Sequence, residues 1–250
     1  MRTTLNEIGP RVFRLSTFFP DLLPGGFTFN QFLLDADEPL LFHTGMRGLF
    51  PSVVEAAARA VPLNRLRWVG FGHVEADECG SMNQWLAAAP GAQVVHGQIG
   101  CMVSLNDLAD RSPRALAHGE RLDLGGRTVR LLTTPHVPHG WESVVLFEEV
   151  TRTLMCGDLF THAGHGPAIT ETDVVGPALD MERAMPGGTA LTPATGSTLR
   201  ALADLEPQLL AVMHGSSFRG DGASALRSLA AGYDALFEEA CRTAPLSPGA

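Results

Sequence analysis

Three side chains able to bind a metal fall within five residues in Gly72-His73-Val74-Glu75-Ala76-Asp77-Glu78. His73, Glu75 and Asp77 occupy positions i, i+2 and i+4. They follow the apolar run Leu66-Arg67-Trp68-Val69-Gly70-Phe71, which reads as a buried strand. A loop that leaves a rigid sheet is a common place for chemistry. Three later segments supply partners. Thr134-Pro135-His136-Val137-Pro138-His139-Gly140 holds two histidines in a turn-rich loop. Met155-Cys156-Gly157-Asp158 ends a strand with a carboxylate, and Leu210-Ala211-Val212-Met213-His214-Gly215 ends another with a histidine. One His or Asp after a strand is ordinarily a hydrogen-bonded turn residue. The same placement in four segments argues for a shared metal site.

The elements that must position these residues alternate between strand and helix. Strands are expected over Phe27–Leu34, Leu40–Phe42, Ala92–His96, Val129–Thr133, Ser143–Phe147, Arg152–Cys156 and Leu209–Met213. Helices are expected around Val53–Ala60, capped by Ser52, over Cys79–Ala88, over Thr198–Ala203 and over Ala223–Ala240. Thr161–Pro193, rich in Gly, Pro and Thr, reads as a long loop across the mouth of the site. Mixed elements with ligand candidates at strand ends place the chain in the α/β class, helices outside β layers, as a single domain over 1–250.

Composition narrows the partners. With 45% hydrophobic and 18% charged residues, the 250-residue chain has the balance of a globular enzyme. A net charge of −9 argues against nucleic acid and anionic membrane surfaces as partners. No apolar run approaches a membrane span, and the N-terminus lacks a signal peptide's apolar region, so a cytoplasmic protein is expected. The four cysteines form no CxxC pair, which fits reduced thiols.

The order His-x-Glu-x-Asp, then His, Asp and His-Gly resembles the metallo-β-lactamase superfamily. Glu75, where most hydrolases of that superfamily carry His, resembles its diiron branch, the flavodiiron and oxygen-binding diiron proteins. His139-Gly140-Trp141-Glu142-Ser143, Asp158-Leu159-Phe160 and Met213-His214-Gly215 are similar to later ligand segments of that branch. The resemblance implies an αββα sandwich with two metals at the sheet edges. It implies His73, Glu75, His139 and Asp158 on one metal, and Asp77, Asp158 and His214 on the other, Asp158 bridging. It also implies pairing as a homodimer. Two positions depart from the family pattern. A His usually follows the Asp at position 77, where this chain has Glu78. Many members carry Asp after the strand that here ends in Phe42-His43.

The donor chemistry points to iron independently. Redox-inert zinc favours His and Cys with few carboxylates, and an added Glu makes a bound water less acidic. Imidazole with several carboxylates suits iron or manganese. Glu75, Asp77, Glu78 and Asp158 carry four negative charges, which two divalent ions balance. The leading expectation is two Fe ions, with Mn or Zn as alternatives, binding or reducing O2 or NO as sensor, reductase or oxygenase. With no nucleotide fingerprint and no iron–sulfur pattern in the chain, electrons would come from an external donor or from the substrate. The alternative is a hydrolase of an ester, thioester or lactone, with Asp77 or Glu78 taking the proton. A non-catalytic protein with a structural metal is the third reading. Trp141, Phe160 and Met46 are candidates for an apolar wall around the oxidant. His162 and His165 are candidates for the pocket lining, and His96 and His118 for structural roles.

Overall fold

A computed structural model describes residues 2–243. Strands β1 (Thr3–Gly9), β2 (Val12–Phe19), β3 (Phe27–Leu34), β4 (Leu40–Phe42), β5 (Trp68–Gly70), β6 (Gln93–Gly97) and β7 (Arg114–Leu116) form one sheet in that order. The second sheet contains β8 (Arg121–Asp123), β9 (Thr128–Thr133), β10 (Val144–Glu148), β11 (Thr153–Met155), β12 (Ile169–Thr170), β13 (Leu209–Ala211) and β14 (Ser217–Arg219). Its order is β12-β14-β13-β11-β10-β9-β8. The first sheet runs antiparallel from β1 to β4 and parallel from β4 to β7.

Three apolar layers hold the sheets and helices together. Between the sheets lie Phe32, Leu34, Leu40, Phe42, Leu131, Val144, Leu146 and Met155. Outside the first sheet, Leu33, Leu41, Val69 and Phe71 pack on Val53, Ala57, Trp85 and Leu86 of helices Phe50–Ala58 and Met82–Ala88. Outside the second, Val145, Phe147, Leu154 and Leu210 meet Leu199, Leu226, Leu229 and Tyr233 of helices Thr195–Ala203 and Gly222–Thr243. The result is the expected αββα sandwich. β3 shows the logic in one strand: all eight residues are buried. Its alternating side chains feed two different cores, as a sheet covered on both faces requires.

Several boundaries differ from the sequence reading, each for a local reason. The helix read over Val53–Ala60 runs Phe50–Ala58 with Pro51 in its first turn. Ser52 is not its cap; its hydroxyl bonds Leu49 O at 3.1 Å and the Thr3 hydroxyl at 2.8 Å. The helix read over Cys79–Ala88 is broken into Ala76–Cys79 and Met82–Ala88. Ser81 turns aside at the break, donating from Oγ to Thr44 O at 2.7 Å and from its amide to Gly45 O at 2.9 Å. Ala92–His96 is shifted to Gln93–Gly97. The expected loop Thr161–Pro193 contains strand β12 and a helix, Val175–Ala184. Gly176 and Pro177 read as breakers, yet a proline is tolerated in the first turn. Asp173 starts that helix, its carboxylate accepting the Val175 amide at 2.8 Å and the Gly176 amide at 3.2 Å. Among the described residues no helix is long and apolar enough to cross a membrane.

Candidate metal centre

The loops after β5, β9, β11 and β13 bring the predicted ligands to one place. One donor atom from each of His73, Glu75, His139 and Asp158 lies within 4.8 Å of the others. Glu75 Oε2 is 2.8 Å from His73 Nε2 and 3.0 Å from His139 Nε2. Asp158 Oδ2 is 3.7 Å and 3.6 Å from the same two nitrogens. Its other oxygen, Oδ1, faces His214 Nε2 at 3.2 Å, and Asp77 Oδ2 faces that nitrogen at 3.3 Å. Asp158 thus stands between two groups of donors, one oxygen toward each.

Each imidazole is oriented from behind. His139 Nδ1 donates to Gly188 O at 2.7 Å, and His214 Nδ1 donates to Thr28 O at 2.8 Å. His73 Nδ1 faces Glu78 Oε1 at 3.3 Å. All three therefore turn Nε2 inward. For His139 and His214 this arrangement, an outer acceptor on Nδ1 and Nε2 turned to the carboxylates, is the usual one for metal-bound histidine.

β3 of the first sheet builds the His214 position in the second. Thr28 Oγ1 accepts the Gly215 amide at 2.7 Å. The Asn30 side chain donates to Val212 O and Gly215 O, both at 2.9 Å, and Arg14 donates to Gly215 O at 2.9 Å. The His214 ring stacks on Phe27 with centroids 4.5 Å apart and meets the edge of Phe29. Gly215 has φ +114°, and a Cβ there would overlap the His162 imidazole. Only glycine suits both the backbone and the space.

The electrostatics describe a site with acceptors in excess. Burial alone would lower the His73 imidazole, but Glu78, Glu75 and Asp158 raise it to about 11. Burial opposes His214 as well, and Asp158 and Asp77 lift it to about 10. Glu75, bonded to His139 and His73, is held far below the usual carboxylate range. Asp158 Oδ1 is buried and without a hydrogen-bond donor. Three carboxylates converging on three imidazoles with an orphaned buried oxygen fit a pair of cations. The donors, nitrogen and oxygen with no sulfur, fit iron or manganese.

Other expectations resolve differently. Glu78 does not face the donor cluster; it is fully buried behind His73. Its Oε2 accepts the Gly72 and His73 amides, each at 2.6 Å. The proton-accepting role expected for it at the reacting centre does not fit this position. His43, also fully buried, lies with Nδ1 3.5 Å from Glu78 Oε2. His136 is exposed and outside the cluster, so His139 is the histidine that the β9 loop contributes. His162 Nε2 accepts the Ser216 amide at 2.9 Å, which makes it a brace for the His214 loop. His165 packs against Phe18, His118 bonds Thr133, and His96 is buried beside Phe71. Cys79 is half-buried, and burial with Glu78 and Asp77 pushes its thiol up to about 12. The expected apolar wall is made by other residues. Trp141 is 54% exposed, Phe160 is buried in the helix-side core, and Met46 packs beside the helix Phe50–Ala58.

A cavity of about 810 Å³ opens over the donors. Its walls include Phe27, Phe29, Met181, Met185, Thr189 and Tyr233. Met181 belongs to the helix that the Gly- and Pro-rich stretch concealed, and Met185 follows that helix directly. Phe27 and Phe29 carried one legible signal, their i, i+2 spacing on a strand leading to one face. Tyr233 accepts a hydrogen bond from the Thr189 hydroxyl at 3.1 Å.

Comparison with known proteins agrees with this fold. Rubredoxin oxygen:oxidoreductase from Desulfovibrio gigas superposes with TM-score 0.78 at 18% identity, over 94% of this chain and 62% of that one. The Flv1 flavodiiron core from Synechocystis sp. PCC6803 gives 0.77 at 21% identity, over 97% and 62%. The flavodiiron protein from Giardia intestinalis gives 0.78 at 16%, over 96% and 60%. These likenesses are of fold. In sequence, the protein of Thermosynechococcus vestitus named "Putative diflavin flavoprotein A 1" is 27% identical over 141 residues, 55% of this chain. The match spans only 24% of that relative's length. A family model described as ODP family beta lactamase matches residues 27–215, from the start of β3 to the glycine after His214. On that match the chain belongs to the ODP family of beta lactamases.

Proposed function

We propose that this chain is a non-haem diiron protein that binds or reduces O2 or NO at the centre formed by the loops at one end of its two sheets. The observation that supports it most is the set of inward-facing Nε2 atoms with Glu75 lying between His73 and His139. His73, Glu75, His139 and Asp158 would hold the first iron, and Asp77, Asp158 and His214 the second. Bound there, iron supplies one-electron chemistry toward a small oxidant. The chain's own residues do the rest. Glu75, Asp77 and Asp158 place three negative charges on the pair, with Glu78 a fourth behind His73, which favours higher oxidation states. Gly188 O and Thr28 O fix the tautomers of His139 and His214. Phe27 and Phe29 line the cavity and hold the His214 ring between them. Reduction of the oxidant takes electrons from an external donor. The relatives named as flavodiiron and diflavin proteins, and the one named an oxygen:oxidoreductase, support this class of chemistry.

The cavity favours a second participant. At about 810 Å³ it lies in the range of small-molecule sites, roughly 300–1,000 Å³, far beyond the need of a diatomic gas. Its Met and Phe walls suit an organic molecule with an apolar body. Such a molecule would be oxidised beside the iron pair or, in the hydrolytic reading, cleaved there with Asp77 as proton acceptor. Iron content, O2 consumption with and without a chemical reductant, and a panel of esters and lactones separate these. Oxygen uptake that requires reductant supports the reductase form. Ester turnover with zinc and no oxygen response supports the hydrolase.

A further inference from the structure

The cavity over the donors has a second polar end, which the proposed metal centre does not use. Glu182, Thr189 and Tyr233 build it. Glu182 lies in the last turn of the helix Val175–Ala184 and keeps only 9% of its surface exposed. Its Oε1 accepts the Gly187 amide at 3.1 Å. Among the described residues no hydrogen bond or ion pair reaches Oε2. That oxygen lies beside Gly188, where a Cβ would stand 3.5 Å from it. The carbonyl of Gly188 in turn holds His139. The unpaired oxygen therefore sits against the loop that orients one of the imidazoles.

A carboxylate this buried calls for a positive partner or several donors. The protein supplies one backbone amide. The neighbouring cation, Arg183, is exposed and turned to Asp180 at 3.1 Å. Among the described residues no Lys or Arg lines the cavity. The histidines on its wall, His139 and His214, face Glu75, Asp77 and Asp158 instead. Tyr233 is near both ends. Burial pushes its hydroxyl up to about 12, and the charges of Glu182 and Asp158 act in the same direction. The Thr189 hydroxyl, donating to it at 3.1 Å, fixes its oxygen. The rest of the wall is largely apolar, with Phe27, Phe29, Met181 and Met185. Aromatic and apolar surface around one unpaired carboxylate is an environment that suits an organic ammonium ion. We propose that Glu182 is the recognition group for the charged head of an organic substrate, a primary ammonium on an apolar body that the cavity holds beside the metal donors. This rests on the reading of the cavity as the place of a second participant. Tyr233 is a second acceptor for the same nitrogen. An alcohol of the same shape leaves the Glu182 charge unpaired, so the cavity selects amines over alcohols.

The test is calorimetric titration of the full chain, loaded with zinc so that binding is read without turnover, at neutral pH. The probes are phenethylamine and phenethyl alcohol, which differ only in the head group. The wild-type chain is expected to bind the amine at least about 30-fold more tightly than the alcohol. Glu182→Gln keeps an oxygen for the Gly187 amide and removes the charge. It is expected to bring the two affinities together, with thermal melt and metal content unchanged. Tyr233→Phe is expected to weaken the amine and to leave the alcohol less affected. Equal affinity of amine and alcohol for the wild-type chain, no amine binding at millimolar concentration, or an amine preference that survives Glu182→Gln would overturn the proposal. Should Glu182→Gln fail to fold, the wild-type comparison decides alone. Because zinc replaces iron here, a failed diiron reading would leave an observed amine preference standing, and absence of the preference would leave the diiron reading standing.

Discussion

At the scale of single residues, the site is defined by what each imidazole is tied to. His73→Ala or Asp158→Ala is expected to strip metal, and Asp158→Ala should empty both positions because one carboxylate serves each half. Elemental analysis of the purified variants checks this; full occupancy in either would remove that residue from the ligand set. Glu75→His exchanges a charge for a neutral donor and is expected to raise the zinc-to-iron ratio. The metal-free chain also has a definite pH behaviour. His73 is raised to about 11 and His214 to about 10, both from 6.5. Raised values in the folded state stabilise it fully below the unfolded value, and that contribution is lost as pH rises through 10 to 11. At pH 7 both rings carry protons that a metal must displace. Iron binding is therefore expected to release protons from these rings and from His139, which its bond to Glu75 also raises, read from titrations in buffers of different ionisation enthalpy. The residues of the proposed centre could be singled out in sequence because coordination restricts residue type and spacing. Glu78 was not, because its identity allows ligand, acid and brace alike. Only the direction of its side chain, toward two amides and His43, separates them.

At the scale of elements, precision comes from one sheet holding the other's loops. Thr28 and Asn30 on β3 grip the His214–Gly215 turn of the second sheet. Gly215→Ala would force φ +114° on a residue with a Cβ and push it into His162. It is expected to cost at least about 1–3 kcal/mol in chemical denaturation and to loosen the second metal first. The helix Val175–Ala184 supplies part of the cavity wall. Met181→Trp should fill that space, leaving iron content unchanged while blocking any organic substrate. Activity that persists undiminished would show that such a substrate binds elsewhere. Strands were legible where apolar runs meet turns, as in β3, β9 and β13. The helix was hidden because Gly176 and Pro177 carry breaker signals that its first turn tolerates. The split at Gly80-Ser81 was hidden because it depends on Thr44 and Gly45, distant in sequence.

At the scale of the whole molecule, the αββα sandwich sets the loops of two sheets against one another at one end. The residues that carry this are apolar, and Phe42, fully buried between the sheets, is a measure of it. Phe42→Ala is expected to cost about 3–5 kcal/mol. As it precedes His43, it should weaken iron binding along with stability. The fold class was legible from the alternation of elements together with the ligand order. Which sheet faces which helix was not, since β3 is buried on both sides and its sequence alone does not assign Phe32 and Leu33 to different cores. The central claim is that this architecture holds two irons that respond to oxygen. The most direct measurement is metal content and optical spectrum of chain prepared from iron-sufficient cells, reduced without oxygen and then exposed to air. The expected result is two irons per chain and a near-ultraviolet charge-transfer band that appears on oxidation. Two zinc ions, or iron with a spectrum indifferent to air, would contradict it.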